Sequence, residues 1–154
     1  MNALDQEMER GPVPVLVVDD NPDFLRVAQA VLEEREVPFE VYTVQTGTAA
    51  LAFLNRRGRF AGVPRPRFVV LDFHLPDMDA PAVLQALGAC PQLRDIPVLV
   101  LSQADWAEDE RAVRAAGARQ FLVKPSRVRP LRAIMLEFWK EECAHGSEDT
   151  DRRG

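Results

Sequence analysis

The chain has few cysteines and no long apolar run, and each scarcity excludes a class of protein. Its two cysteines, Cys90 and Cys143, stand far apart in no spacing typical of metal or redox sites, so we expect free thiols in a reducing cytosol. No run approaches the roughly 18 apolar residues of a membrane-spanning helix. The acidic start MNALDQEMER has no apolar stretch, so it is not a secretion signal.

Basic residues are also in the minority. Nineteen lysines and arginines stand against 24 acids, a net charge of −5, which argues against wholesale binding of nucleic acid. With 154 residues, 47% of them hydrophobic, the chain is long enough for one sizeable core. Composition therefore predicts a small cytoplasmic domain that binds neither nucleic acid nor membrane, and it indicates no chemistry.

Short apolar runs alternate with segments whose apolar residues recur at helical spacing. Unbroken runs rich in β-branched residues suit strands that are buried on both faces, as in a parallel sheet covered by helices. The predicted strands are residues 13–18, 39–44, 67–71, 96–101 and 119–123, and the predicted helices are 22–36, 46–57, 80–89, 105–117 and 130–142. This alternation predicts an α/β domain over residues 13–142, with flexible ends at 1–12 and 143–154.

Polar residues follow four of the five strands, where an open α/β sheet holds its functional site. They are Asp19 and Asp20 after the first strand, Asp72 after the third, Ser102 after the fourth and Lys124 after the fifth. The second strand is followed only by glutamine and threonine, which indicates an edge position away from the site. Each residue alone is commonly a helix cap or a solvated loop residue, but together they predict one site.

Three carboxylates at one edge repel each other unless a cation lies among them. Oxygen ligands alone favour a hard octahedral ion that keeps several waters, so Mg²⁺ is expected. Lys124 and Ser102 add donors for an anion. The combination predicts a site for a phosphoryl group in which a carboxylate is the nucleophile.

Four segments, VLVVDDNPDF, VVLDFHLPDMD, VLVLSQA and FLVKPS, resemble the signature segments of response-regulator receiver domains in two-component signalling. The resemblance spans residues 13–142 and includes the 22-residue step from Ser102 to Lys124. It implies a flavodoxin-like, doubly wound parallel sheet of five strands in the order 2-1-3-4-5, with five helices. The two ends that remain are short, so we expect no output module in this chain.

The resemblance also implies a role for each site residue. Asp72 is the expected phosphoacceptor for a histidine kinase. The expected Mg²⁺ ligands are Asp19, Asp20, Asp72 and the backbone carbonyl of His74. The phosphoryl group is expected to be bound by Lys124 and Ser102, and Phe121 is the expected aromatic switch. Phosphorylation adds charge and acceptor oxygens. Ser102 would then move inward, and Phe121 would rotate into the vacated space and change the surface of the fourth helix, fifth strand and fifth helix.

The sequence departs from the family at three places near the site. Ala80 stands where members commonly have glycine, which suggests a different turn or modest strain. His74 and Ala104 occupy positions that border the phosphoryl group in the family and help to set its hydrolysis rate. We therefore expect autodephosphorylation to depend on this pair.

Three further features resemble response regulators that serve phytochrome-type photoreceptor kinases: a single receiver, a lengthened approach to the third strand and an aromatic-rich last helix. Phe138 and Trp139 are adjacent, so we expect one of them to point outward and to be buried in a homodimer. Residues 55–67 carry five arginines and no acid. They predict a solvated basic loop or a docking surface for an acidic partner.

Other functions fit the residues less well. A phosphorelay intermediate or an unphosphorylated scaffold receiver would share the fold and most of the site. A metal-dependent phosphohydrolase of the haloacid-dehalogenase type needs a second aspartate two residues after the nucleophile, where this chain has His74. A nucleotide or flavin binder needs free backbone N–H groups after the first strand, and the acidic segment there repels phosphate.

Overall fold

The computed structural model describes residues 11–33, 39–103, 106–125 and 129–153, and in the last range it describes the side chains of 130–144. Five parallel strands form one sheet in the order β2-β1-β3-β4-β5, which confirms the predicted fold and the edge position of β2. The strands are β1 (Val13–Val18), β2 (Phe39–Val44), β3 (Phe68–Asp72), β4 (Val98–Ser102) and β5 (Gln120–Val123).

Helices cover both faces of this sheet because successive strand residues point to opposite sides. The helices are α1 (Pro22–Leu32), α2 (Gly47–Leu54), α3 (Ala80–Gly88), α4 (Ala107–Ala115) and α5 (Arg129–Arg153), with a short 3₁₀ helix at Gly58–Phe60. One core packs α2, α3 and α4 on one face, and the other packs α1 and α5 on the opposite face. Leu16 and Val18 belong to the first core, whereas Val15 and Val17 belong to the second.

Strands β3 and β4 are shifted toward the site relative to their predicted positions. Each begins later than expected, and each includes its polar residue, Asp72 or Ser102, as the last residue of the strand. Asp72 pairs with Leu101 in the ladder, and the next amide, Phe73 N, still donates to Leu101 O at 2.9 Å. The backbone that carries these two side chains is therefore held by the sheet and not by a loop.

The end of α2 and the start of α4 differ from the prediction. Helix α2 ends at Leu54 because Arg56 adopts a left-handed conformation with φ of 55°. Helix α4 has Trp106 at its N-cap position, with no side-chain hydrogen bond there. Asp105, the predicted first residue, lies outside the described residues, as do 34–38 at the predicted end of α1.

Helix α5 is longer than predicted. The sequence indicated an end near Glu142, but the helix continues to Arg153; the flexibility predicted for 143–154 stays a prediction. Residues 143–153 contain no proline to break the helix, although only Ala144, Glu148, Arg152 and Arg153 are strong helix formers. The absence of apolar periodicity in this segment was therefore a poor guide to its backbone.

The expectation that Phe138 or Trp139 points outward is wrong. Both side chains are buried within the protomer, at 2% and 4% exposure. Their rings pack against Phe68, with centroid distances of 5.3 and 5.5 Å. The prediction assumed a narrow apolar stripe, whereas the buried face of a helix is commonly wide enough to take two adjacent residues.

The arginine-rich segment precedes β3 and lies at the amino-terminal edge of the sheet, where Arg67 N donates to Pro14 O at 2.8 Å. Arg56, Arg57 and Arg59 are exposed. Within the described ranges, no helix is both long and apolar enough to cross a membrane.

Candidate functional site

Asp19, Asp20 and Asp72 meet at the carboxyl edge of the sheet, as predicted. One carboxylate oxygen from each lies within 4.8 Å of the others. Asp19 and Asp72 are buried, and Asp20 is exposed. The backbone fixes Asp19, because its amide donates to Val44 O at 3.2 Å and its Oδ1 accepts from Asn21 N at 2.9 Å.

Lys124 joins the acids from the end of β5. Its Nζ forms an ion pair with Asp19 Oδ2 and lies 4.3 Å from the centroid of the Phe24 ring. Its backbone amide donates to Ser102 O at 2.7 Å, which ties the loop after β5 to the end of β4. The ammonium group is therefore held between a carboxylate and an aromatic face, a favourable place for a cation.

The electrostatics of the site centre on Asp72. Burial, together with the charges of Asp19 and Asp20, raises the pKa of Asp72 from 3.8 to about 6, although Lys124 and His74 act in the opposite direction. The positive charge around Asp72 is therefore too small to balance the negative charge of the three carboxylates. Three crowded oxygen donors with such a deficit fit a divalent cation of the Mg²⁺ type.

The two predicted switch residues are both buried. Ser102 is 1% exposed and ends β4, the strand beside β3. Phe121 is 5% exposed and packs in the core under α3 and α4. In this structure the Phe121 ring is already inside the protein, so phosphorylation is not required to bring it there.

The loop between β3 and α3 begins directly after Asp72. His74 is exposed, its ring lies 4.7 Å from the Phe73 ring, and its backbone forms an isolated bridge with Asp79. Ala80 starts α3 and is buried without strain, because Arg56 is the only non-glycine residue with positive φ in the described part of the chain. Ala104, the other predicted hydrolysis residue, lies outside the described residues.

Sequence reasoning missed two residues that touch this region. Phe24 counted only as an apolar helix residue, yet its ring contacts Lys124, 100 positions away. Asp77 passed unnoticed in the segment LPDMD, yet its carboxylate binds the start of α2. Both contacts join segments that are remote in sequence, so local spacing carries no signal for them.

Comparisons with known proteins agree with this geometry. The family model described as "Response regulator receiver domain" matches residues 15–136. Response regulator Rcp1 of Synechocystis sp. is 31% identical over 133 residues, which cover 84% of this chain and 90% of that protein.

Two solved structures are similar over most of the fold. The phosphorylated cyanobacterial phytochrome response regulator RcpA superposes with a TM-score of 0.75 at 32% identity, covering 84% of this chain and 94% of that one. The Mn²⁺-bound form of Rcp1 gives a TM-score of 0.74 at 30% identity, covering 84% and 96%. The chain therefore belongs to the family of response regulator receiver domains, and within it resembles the phytochrome-associated regulators.

Proposed function

We propose that the chain is a phosphorylation-dependent switch in which Asp72 accepts a phosphoryl group from a histidine kinase. The observation that carries the proposal is the meeting of three carboxylates with one lysine around the buried Asp72. Support also comes from RcpA, whose solved structure is phosphorylated. The domain itself would promote the transfer and the later loss of the group, and would not act as an enzyme on another substrate.

In the transfer step, a carboxylate oxygen of Asp72 attacks the phosphorus of a phosphohistidine. The new O–P bond forms as the P–N bond breaks, and the electron pair leaves on the imidazole nitrogen, which takes up a proton. With a pKa of about 6, Asp72 is mostly ionised at neutral pH and available as the nucleophile.

The acids fit a metal as well as a nucleophile. We propose that the ligands of Mg²⁺ are Asp19, Asp20, Asp72 and the backbone carbonyl of His74. The similar protein Rcp1 has been solved with Mn²⁺ bound, which supports a divalent cation here. When bound, Mg²⁺ offsets the negative charge of the carboxylates and of the phosphoryl oxygens. Lys124 carries three N–H donors, so it can keep one on Asp19 and give another to a phosphoryl oxygen, with Ser102 as a further donor.

The signal would leave through the surface formed by α4, β5 and α5. We propose that the phosphoryl group biases the packing of Ser102 and Phe121, and thereby shifts the populations of two arrangements of this surface. Trp106, 63% exposed before α4, and Val123 at the end of β5 present apolar area there for a partner.

His74 lies two residues after Asp72, where it can influence the lifetime of the phosphoryl group. Its side chain is exposed beside Asp72, so it can shield the group or assist the attack of water. We propose that it acts in this role together with Ala104.

The partners follow from the relatives. RcpA is a phytochrome response regulator and RtBRR a bacteriophytochrome response regulator, which supports a phytochrome-type histidine kinase as donor. The thiol of Cys90, which forms no disulfide, supports a cytoplasmic location. A homodimer stays a prediction, now without Phe138 or Trp139 at its interface; a solution mass of 17.3 kDa would contradict it.

The alternatives to the switch function are a phosphorelay intermediate, which passes the phosphoryl group onward, and an unphosphorylated scaffold.

Labelling with a small phosphodonor tests the central claim. Incubation with acetyl phosphate and Mg²⁺ should give an acid-stable, base-labile label that Asp72→Asn abolishes and that Asp95→Asn, at an exposed acid, leaves intact. Absence of label without release of phosphate would favour the scaffold. Continuous release of phosphate without label would favour a phosphohydrolase.

A further inference from the structure

Asp77 connects the loop after the phosphoacceptor strand to the first turn of α2. Its Oδ1 accepts from Gly47 N at 2.9 Å, and its Oδ2 accepts from Thr48 N at 2.8 Å and from the Thr48 hydroxyl. These hydrogen bonds lower the pKa of Asp77 to about 2, so the carboxylate is charged at every physiological pH. The two segments are about 30 residues apart in sequence, so the contact is tertiary.

The contact is more than a helix cap. Thr46 already supplies the usual cap of α2, because its side chain accepts from Ala49 N at 2.9 Å. Met78, the residue after Asp77, also packs closely against Gly47, because a Cβ added to Gly47 would lie 2.3 Å from Met78 Cγ. Hydrogen bonding and close packing together bind the tip of the loop to α2.

The base of the same loop is closed by backbone contacts. Ala80 N donates to Phe73 O at 2.9 Å, His74 bridges Asp79, and the Asp79 side chain caps α3 by accepting from Ala82 N at 3.0 Å. The loop is therefore held at its base by β3 and α3 and at its tip by Asp77.

We propose that Asp77 is a positioning residue for the metal site, holding the β3–α3 loop and with it the backbone of His74 in one conformation before a cation binds. The inference rests on the proposed function, in which the His74 carbonyl is a metal ligand. If the loop were free at its tip, cation binding would have to order it, and that entropy cost would weaken the affinity. Asp77 is thus expected to affect Mg²⁺ binding without touching the ion.

Titration calorimetry of the full chain with Mg²⁺ tests the proposal. Asp77→Ala should weaken Mg²⁺ binding about 10-fold, in the range seen for residues that support metal ligands. Thr46→Ala is the matched control: it removes a hydrogen bond at the same helix end that joins Thr46 to Ala49 and not to the loop, and should change the affinity by less than about twofold.

Asp77→Asn separates the hydrogen bonds from the charge. It removes the same charge as Asp77→Ala but keeps one acceptor oxygen, so its affinity should fall between those of the wild type and the alanine variant. It also serves if Asp77→Ala does not fold. Amide exchange in residues 73–79 should speed up in both Asp77 variants and not in Thr46→Ala.

The outcomes distinguish the two proposals. If wild-type Mg²⁺ binding depends on Asp72 but Asp77→Ala and Thr46→Ala have equal effects, Asp77 is only a helix cap and the positioning role is wrong. If the wild-type protein shows no Asp72-dependent Mg²⁺ binding, the proposed metal site is wrong, and the positioning role is overturned with it.

Discussion

At the scale of single residues, Asp72 is held in an unfavourable place for a charge. It is 8% exposed and has Asp19 and Asp20 beside it, and Lys124 only partly offsets them. The native state therefore binds the Asp72 proton more tightly than the unfolded chain does. By linkage, the stability of the metal-free protein falls as the pH rises from about 4 to about 6 and stays lower above that range.

We expect Asp72→Asn to stabilise the metal-free protein while it abolishes phosphorylation. The variant removes the repulsion, so its free energy of unfolding at pH 7.5 should exceed that of the wild type by roughly 1 to 3 kcal/mol. The difference should shrink to a small part of that value at pH 4, where the native Asp72 is protonated, and should vanish near pH 3, where the unfolded chain is protonated as well. Urea unfolding with a chelator present measures this difference, and Asp95→Asn serves as the control. An Asp72→Asn variant less stable than the wild type at pH 7.5 would contradict the argument.

At the scale of elements, the sequence predicted the sheet well because strands buried on both faces must be apolar throughout. It predicted element ends less well, since ends depend on the backbone of a few residues. The end of α2 shows this: the predicted helix ran to residue 57, but the chain leaves the helix earlier, at Arg56. Arg56 N donates to Phe53 O at 3.0 Å and Arg57 N to Ala52 O at 2.9 Å, the closing bonds of a left-handed helix end.

Arg56→Gly should stabilise the domain, because glycine adopts a φ of 55° without the steric cost that a Cβ brings. We expect a gain of about 0.5 to 1 kcal/mol in the free energy of unfolding, after the larger entropy of glycine in the unfolded chain is subtracted. Arg57→Gly is the matched control, since Arg57 has a φ of −98° and gains nothing. Urea unfolding of both variants decides; equal effects would show that loss of an arginine, and not backbone conformation, sets the outcome.

At the scale of the whole molecule, the sheet separates two surfaces of different character. The acids and Lys124 occupy its carboxyl edge, and their convergence could be predicted because parallel strands all end there. The contact of Phe24 with Lys124 and that of Asp77 with α2 could not be predicted, since they depend on where α1 and the β3–α3 loop pack. The arginine-rich segment lies at the other edge, and β3 between them spans five residues, about 16 Å.

That separation predicts that the arginines do not take part in the chemistry at Asp72. In a variant with Arg56→Gln, Arg57→Gln and Arg59→Gln together, the rate of labelling by acetyl phosphate should stay within about twofold of wild type at 0.15 M salt, where the Debye length of about 8 Å screens exposed charges. Lys124→Gln, at the carboxyl edge, should slow the same reaction strongly. If the triple variant is slow only with a protein kinase as donor, the segment is a docking surface for an acidic face of that kinase. If it is slow with acetyl phosphate as well, the two edges are coupled through the sheet and the predicted independence is wrong.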